Sequence, residues 1–247
     1  RTTTPGEVVM SVDNLKPEGF NNDISFSLRK GEILGVAGLM GAGRTEIMRA
    51  IFGVDKHKGG TVTVNGSVLN CKKPEDAIKA GIAFITENRK SEGLILDFSI
   101  GSNITLPNLK EICPTHVLHK NKLESFADEL SKKLDVKTQS IHEPASSLSG
   151  GNQQKVVIAK WVGKKPSIII MDEPTRGIDI GAKRDIYDLM NELTNDGVSI
   201  IMVSSELPEV LGMSDRVMVI HEGRVAGILD RSDATPESIM TLATGGQ

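Results

Sequence analysis

The sequence predicts an α/β protein in which a parallel sheet is interrupted by a helical insertion. Three observations predict it. The β-rich run "EILGVAG" leads directly into a glycine loop and then into a helix over "TEIMRAIFG". Two later runs, "SIIIMD" and "VSIIMVSS", are continuously apolar, as strands buried on both faces of a parallel sheet are. Between loop and runs, from about Ile100 to Gly163, the pattern is mostly helical.

Taken in order, "EVVMSV" and "ISFSL" read as short strands, and "TVTVNG" alternates and ends in a turn signal. The helix after the glycine loop stops at Gly53. In the helical stretch, Leu123, Phe126, Leu130 and Leu134 fall three or four residues apart and form one apolar stripe. After "SIIIMD" a helix places Ile186, Leu189, Met190 and Leu193 on one face. The segment "RVMVIHEGRVAGIL" reads as a hairpin turning near Glu222-Gly223. There is no internal repeat and no low-complexity segment.

Bulk properties narrow the function. At 247 residues the chain can bury one core, or one core and a smaller lobe. With 29 basic and 32 acidic residues there is no general electrostatic attraction to nucleic acid. One Trp and one Tyr give few platforms for stacking bases. No apolar run reaches the length of a bilayer span and no secretion signal opens the sequence, so a soluble domain able to dock on a membrane protein is expected. The start at Arg1 rather than Met suggests a fragment or a processed chain. Two cysteines, Cys71 and Cys113, make no disulfide framework and fit a reducing compartment.

The glycine loop carries the first chemical signal. A phosphate-binding loop of the form G-x-x-x-x-G-K-[ST] is matched by Gly38, Leu39, Met40, Gly41, Ala42 and Gly43, except that Arg44 stands where lysine is wanted before Thr45. Backbone N–H groups of such a loop, with the N-terminus of the following helix, form an anion cradle. Thr45 can place its hydroxyl on a magnesium ion, whereas the planar fork of Arg44 cannot simply replace an ammonium between phosphates. Taken alone, the loop is equally well a tight strand-to-helix turn.

The second signal is "SIIIMDEPTRGID", Ser167 to Asp179. Acidic residues at the end of a buried strand sit where open α/β sheets bind ligands. Asp172 is placed to hold magnesium, and Glu173 to serve as general base for a water attacking a γ-phosphate. The third is "LSGGNQQKV", Leu148 to Val156, in which Ser149 can cap a helix and Gly150 and Gly151 leave backbone N–H groups open at its start. Each has a structural alternative, a helix cap or an ordinary loop. The order loop, LSGG, apolar-DEP is far more specific than any one of them.

These segments resemble an ATP-binding cassette (ABC) transporter ATPase domain over Val8 to Ala243. More narrowly, "GEILGVAGLMGAGRTE", "ITENRKSEGL", "LSGGNQQKV", "DEPTRGIDIGAK" and "VSSELPEVLGMSDRV" resemble the second cassette of the fused two-cassette subunit of bacterial sugar importers of the ribose and galactose type. The resemblance implies a P-loop NTPase (RecA-like) core with an N-terminal antiparallel β subdomain and a helical subdomain at about 98–163, the whole chain 1–247 being one ATPase domain. ATP and Mg2+ are the implied cofactors. Glu173 and Ser205 are the implied catalytic pair, and Thr45, Glu87 and Asp172 the implied metal residues. The loop residues Gly38 to Glu46, with Ser149, Gly150, Gly151 and Gln153, are the implied nucleotide contacts. Implied partners are a first cassette of the same polypeptide, membrane permease subunits and, indirectly, a secreted or periplasmic sugar-binding protein, at the cytoplasmic face of the membrane.

Departures from the general ABC pattern sharpen the expectation. Arg44 replaces the loop lysine, Glu87 stands where a glutamine is usual, and Ser205 takes the place of a switch histidine. Phe20 is a weak match for an adenine-stacking aromatic. Together they suggest that this domain's own nucleotide site is degenerate and that its LSGG segment completes the partner's site. The rival class is a non-transport cassette protein acting as a regulatory or interaction module. Such proteins typically carry basic or coiled-coil inserts, and this sequence has none. Cys113, His116 and His119 lack a fourth ligand with paired spacing and read as a linker, and Lys132-Lys133 as a solvated helix face.

Overall fold

The computed structural model describes residues 4–115 and 117–246. Its strands are β1 Val8–Leu15, β2 Ile24–Arg29, β3 Ile33–Gly38, β4 Thr61–Val64, β5 Ser67–Leu69, β6 Ile82–Ile85, β7 Ile168–Asp172, β8 Ser199–Val203, β9 Arg216–His221 and β10 Arg224–Asp230. Its helices are α1 Arg44–Phe52, α2 Pro74–Lys79, α3 Ile100–Thr105, α4 Leu109–Ile112, α5 Lys120–Lys133, α6 Gly150–Val162, α7 Ile180–Asn195, α8 Leu207–Met213 and α9 Pro236–Ala243. The chain divides into two compact units, one made of Arg1–Phe84, Ser167–Glu173 and Met190–Gln247, the other of Ile85–Pro166 and Pro174–Leu189.

The first unit holds an antiparallel sheet in the order β2-β1-β4-β5 and the body of a six-stranded sheet in the order β10-β9-β3-β8-β7-β6. In the larger sheet β3 pairs in parallel with β8 and β9, β7 pairs in parallel with β8, and β10 is antiparallel at the edge. Every residue of β7 and β8 is buried, and β3 is buried up to Gly38. Each fully buried Ile, Val or Met side chain contributes about 1.5–3 kcal/mol relative to exposure, so these three apolar strands contribute substantially to the unit's stability. On one side of the sheet Ala37, Val210, Val217, Val219, Ile239 and Ala243 pack together and join α8 and α9 to β3 and β9.

The sequence-level strands and the hairpin are present. The β9–β10 turn holds Glu222 and Gly223 at φ 45° and 71°, the paired positive values of a type I′ turn. Helix α1 ends at Gly53 as expected. The second unit contains the helical stretch. There α5 presents Leu130 and Ala127 inward and packs on α3 and α6, with Leu134 buried just past its end. Lys132 is exposed and bonds Asp128 one turn back, as a solvated face does. Cys113 is buried and His119 exposed, and His116 lies outside the described residues. Among the described residues no group of three potential ligands could hold a metal ion, and no helix is long and apolar enough to cross a membrane.

One buried charge ties three strands of the first unit. Glu32, fully buried just before β3, accepts from Arg216 Nε at 2.6 Å and Nη2 at 3.2 Å, and from the backbone N–H of Arg29 at 2.6 Å. Breaking such a pair strands the remaining charge and costs about 3–5 kcal/mol. Arg216→Met should therefore destabilise the chain by that order in thermal or urea unfolding. The double change Glu32→Leu with Arg216→Met should recover most of the loss.

Candidate functional site

The parallel register levels the carboxyl ends of three strands. Val203 of β8 pairs with Val36 of β3 on one side and Asp172 of β7 on the other. The residues that follow these strands therefore emerge together. They are the glycine loop after Gly38, Glu173 after Asp172, and Ser204-Ser205 after Val203. All belong to the first unit.

The loop is shaped by close backbone packing. A Cβ on Gly38 would lie 2.5 Å from the Ile220 carbonyl oxygen of β9. Gly43 is the N-cap of α1 at φ 98°, a left-handed value that favours glycine. A Cβ there would also lie 2.6 Å from the Phe20 ring, which packs against Gly223 as well. Gly43 caps with no side-chain bond, so the first N–H groups of the nine-residue α1 are available as anion donors. Leu39, Met40 and Gly41 are exposed along the loop, Met40 completely. Glu46 is exposed in the first turn.

Asp172 is 1% exposed, yet neither of its carboxylate oxygens has a hydrogen-bond partner of good geometry. Burial pushes its pKa up to about 6, against the downward pull of the adjacent Thr45 hydroxyl; the Glu173 charge adds to the rise and Arg44 opposes it. Two orphaned acceptor oxygens beside a hydroxyl, at the mouth of a phosphate-type loop, fit a hard divalent cation. Mg2+ needs one or two carboxylates when phosphate oxygens and water complete its shell. Glu87, the third expected metal residue, lies in the second unit, where its carboxylate pairs with the Arg176 guanidinium.

Glu173 sits at φ 48°, uncommon for a non-glycine residue, and its N–H is bonded to the Val203 carbonyl at 2.9 Å. Its two carboxylate oxygens face two different partners. Oε1 lies 3.6 Å from Arg44 Nη2, and Oε2 accepts from the Ser205 hydroxyl at 3.1 Å. Arg44 Nη1 donates to the Ser204 carbonyl at 2.6 Å. Ser204 and Glu209, which bond each other through their side chains, adjoin these groups, and sequence reasoning did not single them out. No local pattern signals a contact made through a backbone carbonyl or across a helix.

The LSGG segment is built within the second unit. Ser149 is exposed and caps α6, accepting from the Asn152 N–H at 3.5 Å and its amide at 3.0 Å. Packing constrains Gly151 more tightly than Gly150. A Cβ on Gly151 would lie 2.4 Å from Cβ of Ala182, and one on Gly150 2.8 Å from Nη2 of Arg89. Arg89 donates to the Arg176 and Gly177 carbonyls at 2.8 and 3.2 Å, and burial lowers its pKa. Lys155 anchors α6 through Asp185 at 2.9 Å and Asp135 at 3.4 Å. Gln153 is placed inside: it is 5% exposed and its amide donates to the Ala145 carbonyl at 3.2 Å. A helix-period check puts Gln153 on the face of Val156 and Val157, the signal that could have marked it as buried.

The family model described as ABC transporter matches residues 21–176. The chain belongs to the ABC transporter family. The cassette chain is 61% identical over its whole length to the ribose import ATP-binding protein RbsA of Oceanobacillus iheyensis, and 57% identical over its whole length to the protein of that name from Bacillus subtilis. It spans about half the length of these curated relatives, 50% of each. Among solved structures, an ATP-binding cassette dimer in a post-hydrolysis state bound to ADP and Pi is 20% identical with a TM-score of 0.76, covering 90% of this chain and 98% of that one. A further ABC transporter cassette is 21% identical with a TM-score of 0.79, covering 98% of this chain and 96% of that one. The ABC cassette fold is thus established: a P-loop NTPase core with an antiparallel β subdomain.

The raised pKa of Asp172 has a sign that can be checked. The folded state holds the proton to about pH 6, the unfolded chain to 3.8. This group's contribution is thus favourable below pH 4 and is lost as pH rises through 6, a cost on the order of 3 kcal/mol. In chelator without nucleotide, Asp172→Asn should unfold at higher temperature than the parent at about pH 7.5, well above the titration. The gap should close towards pH 4, measured by scanning calorimetry.

Proposed function

We propose that this cassette binds MgATP and drives carbohydrate import of the ribose type, as half of a longer two-cassette ATPase. The observation that carries the reading is end-to-end similarity to ribose import ATP-binding proteins, of which the chain spans one half. The site chemistry supports it. The α1 N-terminus and glycine loop suit phosphates, Thr45 and Asp172 suit Mg2+, and Glu173 is the carboxylate next in line for a water. The metal, when bound, would neutralise phosphate charge and orient the nucleotide.

In this reading Asp172 and Thr45 hold the metal, Ser205 orients Glu173, and Glu87 with the segment to Gly93 faces the permease. Ser149 and the Gly150 and Gly151 N–H groups would meet the γ-phosphate held by the first cassette. The loop of this cassette would line the weaker of two composite sites, because the Arg44 fork turns to Ser204 and Glu173. The partners are then the first cassette, permease subunits and, at one remove, a sugar-binding protein, with this domain on the cytoplasmic face of the membrane. The regulatory-module reading has no observation in its favour.

The test is uptake of labelled ribose by membranes carrying the full-length protein with its permease. Ser149→Arg should lower sugar-stimulated ATP hydrolysis and uptake by about two to three powers of ten. Its unfolding temperature should fall only as the loss of one helix cap requires, about 1 kcal/mol. Normal uptake by this variant would refute the assignment of the LSGG face.

A further inference from the structure

We propose that Arg44 is a tether for Glu173: its guanidinium holds the carboxylate at the edge of the sheet, so that turnover at this loop requires Arg44 to be drawn away. The inference rests on reading the loop as a nucleotide site, and it names how that site is restrained. Arg44 is the first residue of α1, and its side chain is 12% exposed. The fork is spanned between two acceptors, the Ser204 carbonyl at 2.6 Å and Glu173 Oε1 at 3.6 Å. The anchor is firm. Ser204 is buried, its hydroxyl donates to buried Glu209, and the same oxygen accepts from the Glu206 N–H at 3.0 Å.

The second oxygen of Glu173 is held by Ser205, so both ends of the carboxylate are engaged. A general base must offer an oxygen within hydrogen-bond reach of the water it deprotonates. Glu173 also sits in a left-handed backbone conformation, and such residues persist where neighbours over-determine them. Arg44 and Ser205 supply two such restraints. A phosphoryl group in the loop is a competing acceptor for the same fork, because guanidinium binds phosphate and carboxylate with the same bidentate geometry. With Nη1 on the Ser204 carbonyl and Nη2 towards Glu173, a bidentate grip on phosphate by these two nitrogens would require both contacts to be given up. Lysine at this position would end in a compact ammonium, which cannot bridge the Ser204 carbonyl and Glu173 as a planar fork does. Arg44 is therefore a positioning residue for Glu173, and the arginine for lysine exchange is a restraint on the base as well as a change of phosphate ligand.

The experiment uses the purified full-length protein, with the first cassette's glycine loop inactivated so that only this site is read, in two arms. Without nucleotide, thermal unfolding is measured for Arg44→Ala, Glu173→Gln and the pair; the tether requires non-additive shifts, and additive shifts overturn it. With MgATP, the dissociation constant of a fluorescent ATP analogue and the rate of phosphate release are measured for the parent, Arg44→Lys, and Arg44→Lys with Glu173→Gln. The tether predicts a kcat raised about threefold or more in Arg44→Lys, with Kd changed by less than about threefold, and the gain abolished by Glu173→Gln. A Kd weakened about tenfold with kcat unchanged makes Arg44 a phosphate ligand and refutes the tether. Unchanged kcat and Kd refute it too. Absence of analogue binding by the parent would instead remove the nucleotide reading, while the unfolding cycle still decides the tether.

Discussion

Parallel pairing of β3 and β7 on either side of β8 is the constraint on which the site depends. Val203 is level with both Val36 and Asp172, so three chain segments leave the sheet at one height. Apolar pattern alone does not fix that register, since strands buried on both faces present no polar side to penalise a slip. Side-chain contacts at the strand ends select it: the Gly31 N–H donates to Ser199 Oγ at 3.1 Å and the Ile33 N–H to Asp215 Oδ2 at 2.8 Å, and backbone bonds close the ladder around them. The Ser199 N–H bonds the Ser167 carbonyl at 2.9 Å at one end of the β7–β8 pair, and Glu173 bonds Val203 at 2.9 Å at the other. The Ile200 N–H bonds the Glu32 carbonyl at 2.8 Å, beside the buried Glu32–Arg216 pair. A slip of one residue would break these bonds and separate Asp172 from Thr45.

Several residues at this edge oppose stability. Asp172 is buried with two unpaired oxygens, Glu173 takes a left-handed backbone conformation, and the charged Arg44 is largely withdrawn from water. A left-handed non-glycine residue alone costs about 1–3 kcal/mol. The cost is sustained by the apolar strands behind the site, whose side chains are fully buried. Local conflict concentrated at one sheet edge, with a consistent core beneath it, is the pattern of a site rather than of a poorly packed region.

Much of this was legible in the sequence, because it depends on local signals. Continuous apolar runs give buried strands, "HEGR" gives a hairpin turn, and Gly53 stops a helix. Glycine spacing before Thr45 and the acidic pair after "SIIIM" identify the two halves of the site before any fold is known. The orientation of Arg44 was not legible. Its two acceptors lie far along the chain, and sequence specifies the charge but not where the fork points. Arg89 is a similar case, since its partners are the backbone carbonyls of Arg176 and Gly177. The burial of Gln153 is not legible from its residue type either: a polar side chain in a glycine-led helix start suggests exposure, whereas its amide nitrogen donates inside to the Ala145 carbonyl and its buried oxygen has no partner among the described residues.

The LSGG segment shows how packing and chemistry can require the same residue. Gly151 has no room for a Cβ against Ala182, so it would be glycine even if nothing bound there, whereas a Cβ on Gly150 first meets the movable end of the Arg89 side chain. Lys155 then fixes α6 through two carboxylates. The position of the helix start is thus set by residues around it and behind it. Replacing Gly151 perturbs that packing and any anion contact together, and the two effects cannot be separated. Ser149 differs. It is exposed, and its side-chain cap bonds run to Asn152. Within the motif, chemistry can be separated from folding at Ser149, because a change there costs one cap and leaves the packed helix start in place.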